Sequence, residues 1–179
     1  RQTLAALQAA QEVIVVDGGS TDESPSIARE LGARLMSSEP GRGRQLMAGA
    51  GQARGDWLLF LHADTRLGEG WEVEVLRFTA DPDNAGRAAA FRFALASPAP
   101  QARRLEAMVA WRTRVLRLPY GDQGLLISRA CYEALGGYRA LTLMEDVDLV
   151  RRLGRRRIVP LSTCAVTSAE RWEGDGWLR

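Results

Sequence analysis

The chain has 179 residues, enough for one domain with a real core, and its 46% hydrophobic and 26% charged residues are those of an ordinary globular protein. No apolar run approaches membrane-spanning length, no signal peptide is visible, and a formal charge of +2 is too small to argue for nucleic acid. All 24 basic residues are arginine, which removes Schiff-base and P-loop lysine chemistry. Cys131 and Cys164, isolated and without metal-ligand spacing, read as buried thiols of a reducing compartment.

Residues 3–10 read as a helix with no strand before it, and the chain ends at Trp177-Leu178-Arg179 without a cap signal. Parts of the fold are therefore expected beyond both ends. Residues 12–17 are a buried strand closing on Asp17, followed by the tight turn Gly18-Gly19-Ser20-Thr21-Asp22. Ser24-Pro25 opens a helix that Gly32 stops, and residues 33–36 form a short strand. Strand, glycine-rich turn, helix, strand is a nucleotide-binding style of α/β unit. Asp17 and the amides of Gly19 and Ser20 can serve a base or ribose; the plainer reading is that Asp17 and Ser20 cap the helix.

Residues 39–44 form a loop leading into a helix that starts at Gln45. Gly41 and Gly43 let the backbone approach a ligand, and Arg42 and Arg44 are planar forks for phosphate at a helix start. A solvated turn is the alternative. The run from Trp57 to Asp64 is the organising stretch: five apolar residues, then His62, Ala63 and Asp64. It reads as a strand buried on both faces that delivers His62 and Asp64, on one side, into a cleft beyond its carboxyl end. An imidazole and a carboxylate there suit a divalent metal that also holds phosphate. Otherwise Asp64 caps a turn and His62 packs at the sheet edge.

Helical spacing continues over residues 71–78, a strand over 88–95, and a long amphipathic helix over 103–118 whose arginine face is solvated, or touches a membrane surface or an acidic partner. Residues 119–124, a glycine-framed polar loop with Gly121, Asp122 and Gln123, lead into a strand over 125–128. A short helix over 130–135 follows. Glu145, Asp146 and Asp148 open the last helix, where acids favour the dipole; the sharper reading makes one of them a general base in the cleft. Residues 158–161 read as an edge strand because of Pro160.

Residues 15–22, 55–64 and 144–149 together resemble the second-strand turn, the metal-binding strand and the Glu-Asp catalytic motif of family-2 glycosyltransferases. Residues 41–45 and 120–124 resemble the radical-SAM/selenodomain-associated transferase 2 subgroup. The resemblance covers nearly the whole chain and implies an α/β GT-A fold, with a central, mostly parallel sheet flanked by helices, in a single catalytic domain over residues 1–179 that lacks the first strand and the C-terminal end. It implies inverting transfer of a sugar from a nucleotide-diphosphate donor, UDP-linked, to an acceptor hydroxyl on a glycan, lipid or small molecule. By position, Asp17, Gly19, Ser20, Arg42, Arg44 and Asp64 would bind donor. Asp64, with His62, would hold Mg or Mn. Gly121, Asp122 and Gln123 would face the acceptor, and Asp146 would be the base with Glu145 beside it. A cytoplasmic protein, with contact at the inner face of a membrane as a further option and no nucleic-acid partner, goes with this reading. Three departures stand out: Gly18 replaces a second acid, His62 replaces the first carboxylate of Asp-x-Asp, and the family's first strand would precede Arg1. A degenerate transferase that binds nucleotide without turnover, or a sugar nucleotidyltransferase, are the alternatives.

Overall fold

The computed structural model describes residues 1–141 and 143–170; the chain end read from Trp177 to Arg179 lies outside them. Helix α1 (Gln2–Ala5) is shorter than its apolar pattern, and residues 6–10 continue as turns. Thr3 donates to the carbonyl of Ala63 at 2.7 Å and Trp71 Nε1 donates to the carbonyl of Ala6 at 3.0 Å, so this segment braces the turn that carries His62 and Asp64.

Strand β1 (Ile14–Asp17) pairs in parallel with β2 (Arg34–Ser37) across helix α2 (Ser24–Glu30), whose Pro25 fills a first-turn position needing no N–H. Helix α3 (Arg42–Gln52) lies against β1. Its Gln45 Nε2 donates to the carbonyl of Val16 at 2.9 Å, and the side chain fills the space beside Gly18, where a Cβ would meet the Gln45 amide at 3.1 Å. The missing acid at position 18 thus has a steric counterpart in this chain. Gly43 is required by close approach: a Cβ would lie 2.3 Å from the carbonyl oxygen of Arg139. Gly43→Ala is expected to cost about 2 kcal/mol of stability, read by urea unfolding, since backbone rather than a pliable side chain must yield.

The second sheet has the order β3 (Trp57–Phe60), β6 (Leu125–Ser128), β5 (Ala88–Leu95), β7 (Ile158–Thr167), β4 (Thr65–Leu67). Its pairing is mixed, not mostly parallel: β5 and β7 run parallel, while β3–β6, β5–β6 and β4–β7 are antiparallel. A buried apolar run does not specify strand direction, and β3 and β4, though consecutive in the chain, lie at opposite edges of this sheet. Strand β7 runs on beyond the expected residues and is covered by β4 over residues 165–167, but residues 158–161 pair with β5 alone, so Pro160 does lie on an edge stretch. It faces Ala90 next to a register shift between Ala90 and Arg92, where the ladder is already irregular.

Helices α4 (Trp71–Ala80), α5 (Pro100–Leu116), α6 (Arg129–Ala134) and α7 (Glu145–Leu153) are the remaining described α-helices. The largest cluster joins Ala50 of α3, Leu58 of β3, Leu125 and Ile127 of β6, Tyr132 of α6, and Leu149 and Leu153 of α7. Burial of each such aliphatic side chain contributes about 1.5–3 kcal/mol. The cluster ties α3 and α7 to β3 and β6. Cys131 is buried in it; Cys164 is only half-buried and accepts hydrogen bonds from Arg92.

Candidate active site

Strand β3 stops at Phe60, not at Asp64. The carbonyl of His62 accepts from Thr65 N–H at 3.1 Å, which makes residues 62–65 a tight turn into β4. His62 and Asp64 therefore do not share one face of a strand. Asp64 is exposed on the turn, while His62 faces other segments.

Arg42 is one of those segments. The loop expected over residues 39–44 ends at Gly41, whose φ of +136° is a glycine conformation, and Arg42 and Arg44 occupy the first turn of α3. Cations there oppose the helix dipole, an arrangement that an anion would relieve. The Arg42 guanidinium contacts both ring nitrogens of His62, reaching Nδ1 at 3.2 Å, and its Nε lies 3.4 Å from Glu145 Oε1. Glu145 is 2% exposed, and a buried carboxylate needs such a partner. Burial and the Arg42 charge push His62 below the ordinary imidazole range, so it stands as a neutral acceptor for Arg42. Arg44 points to Glu39 in an exposed pair that a ligand can displace.

The three acids of the last motif separate into three roles. Glu145 pairs with Arg42, and Asp148 pairs with Arg139 at 3.2 Å and Arg152 at 2.7 Å. Asp146 alone turns toward the polar loop, where its Oδ2 accepts from Gly121 N–H at 2.5 Å. A Cβ on Gly121 would lie 2.5 Å from His62 Nε2 and 3.1 Å from Asp146 Oδ2, so glycine lets these two groups converge. Met144, just before α7, has φ +63°, a left-handed conformation that costs a non-glycine residue about 1 kcal/mol and sets the angle of that first turn.

Asp122 has its Oδ1 buried with no partner among the described residues. Burial pushes this carboxyl up to about 6; the Asp146 charge adds to the rise and Arg112 opposes it. A raised carboxyl stabilises the fold below its unfolded value, and that contribution is lost as pH rises through about 6. Asp122→Asn is therefore expected to unfold later than wild type at pH 8, by about 1–2 kcal/mol after allowance for partial exposure, with the difference vanishing near pH 4. Urea titrations across pH read this directly.

Gln123 faces inward. Its Oε1 accepts from Thr113 Oγ1 at 2.9 Å and Tyr120 N–H at 3.3 Å, and its Nε2 donates to the carbonyl of Phe91 at 3.0 Å. Its amide therefore holds the loop against β5 and α5. Asp17 ends β1 with its carboxylate accepting from the N–H groups of Gly19 and Ser20 at 3.1–3.2 Å, and hydrogen bonds from Ser20, then Gly19, hold it below the usual carboxylate range. Arg112 was hidden in the arginine face expected to be solvated: its guanidinium stacks 3.5 Å from the Tyr120 ring centroid and reaches Gln123. Thr113, polar on the inward side of an amphipathic helix, was the one signal for that support.

A divalent metal needs only one or two protein carboxylates where substrate phosphates supply other oxygens. Asp64 fits that need. His62 does not in this arrangement, because a cation already covers its nitrogens. Among the described residues no cluster of three or more acids, histidines or cysteines forms a self-sufficient cage.

Residues 1–136 match the family described as Glycosyl transferase family 2. The chain belongs to that family. The match takes in Asp17, Arg42, His62, Asp64 and Asp122 and stops before Glu145 and Asp146. Several solved structures share its fold. Glucosyl-3-phosphoglycerate synthase from Mycobacterium tuberculosis, solved with Mn2+, UDP-glucose and phosphoglyceric acid, superposes with a TM-score of 0.61 at 21% identity, covering 85% of this chain and 58% of that one. S. aureus TarS gives 0.69 at 17% identity, covering 94% and 56%. GalNAc-T7, solved with UDP, GalNAc and Mn2+, gives 0.64 at 12% identity, covering 88% and 37%. A TPR repeat-containing protein of Synechococcus elongatus is 40% identical over 62 residues, 31% of this chain and 14% of that protein. The chain thus spans little more than half of the first two structures and a small part of this relative.

Proposed function

We propose that this family-2 domain transfers a sugar, with inversion, from a UDP-linked donor to an acceptor hydroxyl, with Asp146 as general base. The observation that carries the reading is Asp146 Oδ2 at 2.5 Å from Gly121 N–H, beside His62, where segments remote in sequence meet. A base must reach the acceptor proton, and a single half-buried carboxylate between α7 and the residue 119–124 loop meets that need. Asp146 takes the proton from the acceptor hydroxyl as its oxygen forms the bond to the anomeric carbon. The bond from that carbon to the diphosphate oxygen breaks on the opposite face, and the electron pair leaves with the nucleotide diphosphate.

Asp17 keeps unused lone pairs for a base or ribose, with the Gly19 and Ser20 turn fixing its direction. Arg42 and Arg44 would serve the diphosphate, and Glu145 sets the Arg42 fork. Asp64 would hold Mg or Mn; such a cation, when bound, neutralises the leaving diphosphate. The Mn2+ and UDP complexes of the similar structures support this choice of ligands. Gly121 and Asp122 would line the acceptor side, with Gln123 supporting them from behind. One GT-A-like catalytic domain over residues 1–179 accounts for all these parts.

The test is calorimetric titration of UDP with and without manganese, then of UDP-sugars. Metal-dependent UDP binding is expected, and Asp64→Ala should lose the metal dependence while melting as wild type does. Unchanged metal dependence in that variant removes Asp64 from the role. The covered state of His62 and the Gln45 side chain beside Gly18 favour one second reading, a degenerate domain that binds nucleotide without turnover. UDP binding with no donor cleavage would select it.

A further inference from the structure

Helix α5 presents Arg104, Met108, Trp111 and Val115 at spacings of four, three and four residues, which is one continuous stripe of a helix. The stripe is turned away from the core: Met108 is 58%, Trp111 59% and Val115 54% exposed, whereas Ala102, Val109 and Thr113 on the opposite side are buried. A solvated helix face is not made of methionine, tryptophan and valine, and a contiguous apolar patch of this kind marks an interaction surface.

The stripe does not end on the helix. Val115 also lines a cleft of about 410 Å³ whose walls are Arg87, Arg117, Arg155 and Arg156 over a floor that includes Ile158 and Pro160. No acid lines it, and none of these four arginines is in an ion pair among the described residues. No helix among the described residues is long and apolar enough to cross a membrane.

We propose that the α5 stripe and the arginine cleft beside it form a docking surface for an anionic lipid bilayer. Tryptophan and methionine would enter the headgroup boundary while the guanidinium groups hold lipid phosphates, the division of labour of an interfacial amphipathic helix. The charge complementarity decides the occupant: a second copy of this chain would bring another arginine cleft against the first. The surface uses none of the residues assigned to donor or acceptor, so it stands independently of the transferase reading. Yet α5 ends only a few residues before Gly121, and its Arg112 stacks on Tyr120, so a docked helix lies next to the loop that faces the acceptor.

The test is co-sedimentation of the chain with vesicles of phosphatidylcholine alone and of phosphatidylcholine mixed with phosphatidylglycerol. Binding to the mixed vesicles only is expected, falling with added salt. The double variant Arg155→Glu/Arg156→Glu and the single variant Trp111→Ser should each lose about tenfold or more in vesicle affinity. Both should keep wild-type UDP binding and melting, since neither position is in the core. Equal binding to neutral vesicles, mixed-vesicle binding untouched by either variant, or no vesicle binding at all overturns the proposal. So does a concentration-dependent dimer that Trp111→Ser abolishes, which gives the face to a second copy, or retention of RNA in place of lipid.

Discussion

Asp146→Asn is expected to lower donor turnover by about a thousandfold while leaving UDP affinity within about twofold of wild type. The asparagine keeps the size and the Oδ that Gly121 N–H meets, so the loop and the first turn of α7 should stay in place. What it loses is the ability to take a proton, and that loss is felt only in the transition state. The measurement is UDP-sugar hydrolysis or transfer, paired with calorimetric titration of UDP on the same preparation. A variant that turns over normally removes Asp146 as the base. A variant that loses UDP binding as well assigns it to donor binding instead. Asp148→Asn is the control, because Asp148 is held by Arg139 and Arg152 and should change stability more than rate.

What could be read in the sequence follows the reach of each interaction. Strands β5 and β6 and the starts of α2 and α4 were legible, since period, proline and glycine act within a few residues. The end of β3 was not. Nothing in Trp57 to Asp64 says that the ladder stops at Phe60, because the stop comes from pairing with β6 in the register Phe60↔Leu125. Strand direction was lost for the same reason: a buried apolar run looks alike in parallel and antiparallel pairing. In the site, the residue types were legible and their partners were not. Glu145, Asp146 and Asp148 look equivalent in sequence, and only the packing of α7 against α3 and the residue 119–124 loop gives each a different neighbour. Gln123 shows the converse, a polar residue of a functional-looking loop whose bonds all run inward.

Arg42→Met should weaken UDP binding about tenfold or more and also lower stability, by about 2 kcal/mol, and the two effects have one cause. The guanidinium is the only ion-pair partner of Glu145 among the described residues, and Glu145 is almost wholly buried. Removing one member of a buried pair leaves a charge without its counterpart, which costs about 3–5 kcal/mol when both are buried; Arg42 is half exposed, so the smaller figure applies. Methionine keeps the apolar stem and takes away only the fork. The double variant Arg42→Met/Glu145→Gln separates the roles, because it removes the orphaned charge along with the cation. Its stability should return most of the way to wild type, read by urea unfolding, while UDP affinity stays low. Recovery of both would make Arg42 a structural counter-ion alone. Recovery of neither would mean that the contact with His62, rather than Glu145, is what Arg42 maintains, and His62→Gln would then reproduce the loss.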